Sequence, residues 1–354
     1  MSLSKWLNEF EKKHAKGKEE NKIVADRSVD QNIERISTGS IIADYLTNGG
    51  WAKGHINEIT GWKGVGKTTL CGTTTAWVQK NLGKGTVYMD AERVLSNPYF
   101  QTLGVNFDPD LWAKFKDQTT DKVQTIIKST FLNAEQNNVG LIVLDSAGAV
   151  VPPEWMTEEG KAAALGERAR FWSDFIPGIS GLADKTGITF LFVNQLRRVI
   201  NTMSYLPEDE KEKPQGGEAI EFFKTISMKM KSFRKTTKDE TDPMTGQNIK
   251  VPLGNLVQMK VIKNKAGGAP FRQGYDYIEY GKGFNNYKAA ASIFLHRGTI
   301  DKEGAGRSLK YKFLDEKGQS VIAKTRDELE ILLTKYPKLC NQWLQDLGFK
   351  YTYF

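Results

Sequence analysis

The run Gly61-Trp62-Lys63-Gly64-Val65-Gly66-Lys67-Thr68-Thr69 constrains this chain more than any other feature. It has the spacing of a phosphate-binding loop, and it sits where such a loop works, between an apolar run predicted as a strand (His55 to Thr60) and a stretch predicted as a helix (Lys67 to Asn81). Each position has a physical reason. Glycines let the backbone turn with positive φ and approach phosphate oxygens, and the first amides of the helix attract negative charge. Lys67 is placed to reach the β and γ phosphates, and Thr68 offers a hydroxyl to Mg²⁺. The nucleotide-binding set read from this run is Gly61, Trp62, Lys63, Gly64, Val65, Gly66, Lys67, Thr68 and Thr69.

From Ile36 to about Gly281, short β-branched runs alternate with longer helical stretches, the pattern of an α/β domain with a largely parallel central sheet. Strands are predicted at His55 to Thr60, Thr86 to Asp90, Leu141 to Asp145, Ile188 to Val193, Thr225 to Lys231, Val257 to Lys263 and Tyr275 to Tyr280. Helices are predicted at Lys67 to Asn81, Asp121 to Gln136 and Ala162 to Lys185. Arg197 to Gly217 and Lys235 to Gly254 read as long irregular loops, rich in charge, Gly, Pro or Thr. Residues 1–34 read as an N-terminal arm, a charged helix from Leu3 to Lys18 and an extended piece at Ile23 to Ala25, with Trp6, Leu7 and Phe10 on one face. The core spans 35–281, and residues 282–354 form a small α+β C-terminal domain with helices expected at Ser292 to Arg297 and Arg326 to Leu347.

The formal net charge of +8 favours an anionic partner, nucleic acid first, without specifying one. Cys71 and Cys340 have no metal or redox spacing; with no secretory leader they read as reduced thiols of a cytoplasmic protein, in the host cytoplasm if the gene is viral. The apolar runs are far shorter than the ~20 residues that span a bilayer, so no membrane role is expected. His14, His55 and His296 are scattered and receive no chemistry.

Polar residues close the predicted strands, where an α/β sheet presents its ligand crevice. Asp145, after Leu141-Ile142-Val143-Leu144, fits a carboxylate holding Mg²⁺ through water, with Ser146 beside it as a hydrogen-bonding partner; a plain helix-capping Asp is the alternative. Glu92, in Asp90-Ala91-Glu92, is the candidate base for the attacking water, against the reading of a solvated strand-end acid. Asn194-Gln195 places neutral amides beside the Arg197 to Gly217 segment, so a phosphate sensor there adjoins a loop it can switch; a strand-end amide without that duty is the alternative. Lys263-Asn264-Lys265 reads by itself as a solvated basic turn.

Taken in order, Ile36-Ser37-Thr38-Gly39-Ser40, the phosphate loop, Asp90-Ala91-Glu92, Leu103-Gly104-Val105, Leu144-Asp145-Ser146, Val193-Asn194-Gln195-Leu196-Arg197, Gly216-Gly217 and Val261-Ile262-Lys263-Asn264-Lys265-Ala266 resemble the bacterial RecA recombinase family, from about Phe10 to the last residues. The resemblance implies a RecA-like ATPase core, ATP and Mg²⁺ as cofactors, and a protein that forms helical filaments on single-stranded DNA and pairs it with double-stranded DNA. It implies that Glu92 activates water, that Gln195 couples the γ-phosphate to the second DNA loop, that Lys263 and Lys265 reach the neighbour's nucleotide, and that Tyr99 stacks on adenine. A first DNA loop is implied near 157–167, with Leu165, Gly166 and Arg170. The second, 197–217, carries Arg197, Arg198, Ile200, Gly216 and Gly217. The N-terminal arm is implied to dock on the adjacent protomer.

Several positions depart from the family pattern. Ser96 stands where an adenine-contacting Asp is usual, Lys63 where the loop is often acidic, and Glu218 where an amide is expected. The second loop is longer by a mixed-charge insert, Glu208-Asp209-Glu210-Lys211-Glu212-Lys213, and the chain ends at Lys350-Tyr351-Thr352-Tyr353-Phe354 instead of an acidic tail, which suggests less inhibited DNA loading. A hexameric helicase of related core and a nucleotide-gated DNA-binding mediator with little turnover are the competing functions. Nothing resembles the lid or acceptor pocket of a small-molecule kinase.

Overall fold

The computed structural model describes Lys5, Glu9, Lys12, residues 33–156, 164–198, 212–214 and 218–354. Residues 1–33 form one unit and Glu34–Phe354 another. The larger unit is built on a ten-stranded sheet. A separate antiparallel pair is formed by β1 (Arg35–Ile36) and β2 (Trp51–Ala52), and the central strands of the large sheet are β3 (Ile56–Gly61), β4 (Gly85–Asp90), β6 (Val139–Asp145) and β7 (Thr189–Arg198). β3 and β4 are buried along their whole length, and Leu141 to Asp145 of β6 are buried too. Strands covered on both faces need apolar side chains on both faces, which is why the sequence reads as runs such as Leu141-Ile142-Val143-Leu144 and not as alternation.

The strand order completes the architecture. β4 pairs with β5 (Trp112–Phe115) and β6, β6 with β7, and β7 with β3, all parallel. β3 continues parallel to β9 (Ile226–Thr241), and β10 (Asn248–Asn264), β11 (Gln273–Glu279) and β12 (Gly283–Phe284) follow antiparallel. This confirms the α/β class with a mostly parallel centre. Helices α1 (Ile41–Thr47), α2 (Lys67–Leu82), α3 (Asn97–Thr102), α4 (Thr120–Leu132), α5 (Ala164–Thr186) and α6 (Glu218–Phe223) connect or flank the strands. The main core gathers Ile56, Phe131, Trp172, Ile176 and Phe190, each almost completely buried.

The segment from Lys235 to Gly254 is not an irregular loop. β9 and β10 run past the sheet as a two-stranded ribbon, paired from Thr241↔Asn248 inward. Most of its residues are exposed, so no buried face imposed the period-2 apolar pattern by which a strand is recognised. At the tip the Asp242 carboxylate accepts the amides of Met244 and Thr245, turning the chain.

Beyond residue 282 a second apolar cluster forms. α7 (Asn286–Arg297), the antiparallel strands β13 (Asp301–Glu303), β14 (Lys310–Leu314) and β15 (Ser320–Ala323), and α8 (Arg326–Leu333) and α9 (Pro337–Asp346) surround Phe294, Phe313, Leu329 and Leu344. The single helix expected over Arg326 to Leu347 is broken, because Pro337 has no amide to donate and opens a new helix instead. No described helix is long and apolar enough to cross a membrane. Both cysteines are buried and free.

The last residues fold back against α1. Tyr353 donates its hydroxyl to Asp44 Oδ2 at 2.8 Å, Tyr351 donates to the Gly49 carbonyl at 2.9 Å, and Phe354 stacks on Tyr287. Burial raises the Asp44 carboxyl from its ordinary 3.8 to about 6, against hydrogen bonds from Ser37, Thr38 and Tyr353 that favour the charged form. A carboxyl whose folded pKa is raised stabilises fully below its unfolded pKa and loses that contribution as pH rises through the folded value. Asp44→Asn is therefore expected to flatten the fall in stability between about pH 4 and pH 6, read as urea midpoints across that range. An unchanged slope would place the pH dependence elsewhere.

Candidate nucleotide site

The parallel register brings the polar strand ends together at one edge: Gly61 lies beside Gln195, and Asp90 beside Asp145. The chain leaves β3 at Gly61, turns through the phosphate loop and enters α2 after Gly66, whose φ is +94°. Only glycine fits there. A Cβ on Gly66 would come within 2.2 Å of Ile278 Cδ1, and one on Gly61 within 2.5 Å of the Met230 carbonyl oxygen. No side chain caps α2, so its first amides face the loop.

A cavity of about 360 Å³ opens at this edge, walled by Lys63, Gly64, Gly66, Lys67, Thr68, Thr69, Glu92, Tyr99, Asp145 and Gln195 of the expected set. Val94, Asn255, Ile278, Tyr280 and Gly281 complete the wall. Most of these come from β10, β11 and the turn after it, late in the chain, and no local motif marked them. Val65 is buried beneath the loop, and Trp62 turns away, donating its indole Nε1–H to Glu212 Oε1 at 2.7 Å.

Lys67 is nearly buried and donates Nζ to the carbonyls of Gly61 and Trp62, at 3.0 and 2.8 Å; burial pulls its ammonium below the usual range. Thr68 and Tyr88 both donate hydroxyls to Asp145 Oδ2, at 2.6 and 2.9 Å. Burial raises the Asp145 carboxyl, and these bonds oppose the rise. Tyr88 was missed in the sequence because a mid-strand aromatic looks like core. Ser146 does not serve Asp145; its hydroxyl donates to Glu92 Oε1 at 2.6 Å, and Gln195 Nε2 donates to the same oxygen at 2.6 Å. Asn194 turns the other way and donates to buried Glu58, which also accepts Ser227 Oγ and pairs with Lys224 Nζ at 2.7 Å. That network anchors both β7 and the end of α6. Tyr99 shares a 2.9 Å hydrogen bond with Thr69, and Ser96 caps the short helix that carries Tyr99.

Lys263 and Lys265 do not enter the cavity of their own chain. They close β10 against the end of α6, where Lys263 Nζ donates to the Glu221 carbonyl and Lys265 Nζ to the Phe222 carbonyl at 2.8 Å. Partial burial, then the neighbouring Lys265 and Lys224 cations, lower the Lys263 ammonium to about 8. Arg170 is exposed on α5 and Arg197 is exposed near the end of β7. Leu165 and Gly166 lie in the first turn of α5 and Arg198 ends β7. Ile200, Gly216 and Gly217 lie outside the described residues, as does most of 157–167.

No group of three or more His, Cys, Asp or Glu suited to a metal occurs among the described residues. Thr68 and Asp145 instead offer two hard oxygens facing the helix N-terminus. That set suits Mg²⁺, which is commonly held by one or two protein oxygens together with phosphates and water.

Fold and cavity together define a P-loop nucleotide-binding protein. A family model described as the RecA N-terminal domain matches residues 1–285. The chain is 31% identical over 322 residues to Protein RecA of Borrelia hermsii, covering 88% of this chain and 84% of that protein. It is 30% identical over 339 residues to Protein RecA of Mycoplasma mobile, covering 96% and 93%. The corresponding match to Protein RecA of Campylobacter jejuni is 32% over 312 residues, covering 87% and 84%. The chain belongs to the RecA family, whose members act in DNA recombination and repair and bind ATP and DNA.

Proposed function

We propose that this protein is an ATP-dependent recombinase that assembles as a filament on single-stranded DNA, hydrolyses ATP at protomer interfaces and carries out pairing and strand exchange with double-stranded DNA. The observation that carries this reading is the Glu92 carboxylate, held by Ser146 and Gln195 at the cavity wall, because Gln195 stands at the root of the second DNA loop. A single hydrogen bond thus joins the reacting centre to the DNA-binding segment.

The roles follow from position. Lys67 moves from the carbonyls of its loop to the β and γ phosphates, and the open amides of α2 receive phosphate charge. Thr68, and Asp145 through water, would hold Mg²⁺, which would neutralise charge on the phosphates. Glu92 takes the proton of the attacking water. Gln195 exchanges between Glu92 and the γ-phosphate, so the second loop feels the nucleotide. Tyr99 packs the base. Lys263 and Lys265 face the neighbour's nucleotide and supply cations in trans. Arg170, Arg197 and Arg198 meet DNA phosphates, Leu165 and Ile200 enter the base stack, and Gly216 and Gly217 belong to the same DNA-binding set. Residues 1–34 serve as the oligomerisation arm, 35–281 as the ATPase core and 282–354 as a C-terminal domain, working in the cytoplasm.

The first test is ATP hydrolysis by the wild-type chain with and without single-stranded DNA. We expect strong stimulation by DNA, and an affinity for DNA that falls steeply as salt rises because cation release from the phosphates drives binding. Turnover indifferent to DNA would remove the reading. Unidirectional duplex unwinding without strand exchange would move it to a helicase.

A further inference from the structure

The mixed-charge insert of the second loop has a use that the family resemblance does not supply. Its last two residues and the following Pro214 form β8 (Glu212–Pro214), which pairs antiparallel with the end of β7: Leu196 faces Pro214, Arg197 faces Lys213 and Arg198 faces Glu212. The returning leg of the loop is therefore zipped to the leg that leaves Gln195. The Glu212 side chain is 7% exposed, and its described partners are Trp62 of the phosphate loop and Lys229 and Lys231 of β9. Oε1 accepts the Trp62 indole, and Oε2 is 2.8 Å from Lys229 Nζ and 3.4 Å from Lys231 Nζ. The carboxyl is held below its ordinary range by Lys229, Trp62 and Lys231, against burial.

Trp62 is also bound from the other side. Its carbonyl accepts Lys67 Nζ at 2.8 Å, the same ammonium that must reach the phosphates. A Lys67 that turns to phosphate gives up this carbonyl. Nucleotide therefore acts on the backbone of the residue whose indole holds the second loop.

We propose that Glu212 is a positioning residue, tying the returning leg of the second DNA loop to the phosphate loop through Trp62 and passing the nucleotide state between them. The proposal rests on the recombinase reading of the site. Gln195 tethers the outgoing leg through Glu92, and Glu212 tethers the returning leg, so both ends of the loop report to one cavity. The two tethers differ in kind. The first touches the reacting centre; the second acts only through Trp62 and the two lysines.

The test measures dissociation constants for a labelled single strand by fluorescence anisotropy, with and without a non-hydrolysable ATP analogue and Mg²⁺. It uses the full chain as wild type, Glu212→Ala, Trp62→Phe and Glu210→Ala. The quantity read is the ratio of the two constants, which measures coupling between the sites. Loss of the tether should shrink that ratio by roughly five- to tenfold in Glu212→Ala and in Trp62→Phe, the lower part of the usual range for coupling between sites. Glu210→Ala removes the same unit of charge from the insert and should shift both constants together, leaving the ratio intact. Trp62→Phe changes no charge, so it also decides the matter if Glu212→Ala does not fold. Wild-type ratios in both Glu212→Ala and Trp62→Phe would overturn the proposal while leaving the recombinase reading in place. A wild type whose DNA affinity ignores nucleotide would instead remove that reading, and the tether with it.

Discussion

Glu92→Gln is expected to lower DNA-stimulated ATP turnover by about 10²–10⁴-fold, the usual contribution of a positioned general base, with ATP and DNA binding retained. The substitution is chosen for what it preserves. A glutamine keeps the length and shape of the side chain, and its Oε1 still accepts the Ser146 hydroxyl and the Gln195 amide, each now 2.6 Å from the carboxylate oxygen. What it loses is basicity. The variant should therefore bind nucleotide and remain on DNA, while ATP turnover stalls. Measured turnover, nucleotide binding and DNA anisotropy together separate this from a folding defect. If turnover stayed close to wild type, the base would have to be another group, and the bond between Glu92 and Gln195 would be a structural contact only.

How much of this site was legible beforehand depended on where its residues fall along the chain. The phosphate loop follows a buried parallel strand, Asp145 ends one, Glu92 lies two residues past a third, and Gln195 is the last residue of β7 that pairs with β3; such strands announce themselves by apolar runs with polar residues at or just past the end. Register then brought Gly61 beside Gln195 without further information. Tyr88, Asn255, Ile278 and Tyr280 gave no comparable signal. Tyr88 sits inside a strand, where an aromatic ring satisfies the core pattern whatever its hydroxyl does; only the 2.9 Å bond to Asp145 reveals its second duty. Asn255, Ile278 and Tyr280 lie on or just after late strands of the antiparallel half, and sheet order alone carries them to the cavity. The ribbon of β9 and β10 was unreadable for a different reason. An exposed two-stranded ribbon is held by backbone hydrogen bonds and cross-strand pairs, so its sequence is free of the burial pattern that identifies other strands. The break at Pro337 was available in the sequence, since proline rarely continues a helix, and the long apolar periodicity on either side concealed it.

Changing Lys263 and Lys265 together to alanine should abolish most DNA-stimulated turnover, by roughly 10³-fold if the pair acts as cations supplied in trans do in phosphoryl transfer. The geometry already separates these lysines from their own chain's cavity, since both point to the carbonyls that end α6. Two explanations of a dead double variant remain distinct: loss of charge at a neighbour's nucleotide, or loss of the cap on α6 and with it the second loop. A mixing experiment separates them. Lys67→Ala lacks the phosphate contact but keeps the lysine pair, whereas the double variant keeps the phosphate loop and lacks the pair. In a head-to-tail assembly of the two inactive chains, mixed equally, about a quarter of the interfaces pair an intact phosphate loop with an intact lysine pair, because such an interface takes different surfaces from its two sides. Turnover should return to about that fraction of wild type when the variants are mixed on DNA, although each alone is inactive. Mixtures that stay inactive would mean that the lysines act within their own chain, through α6. The ATPase site would then be complete in a single protomer, and hydrolysis would need DNA but not a neighbour.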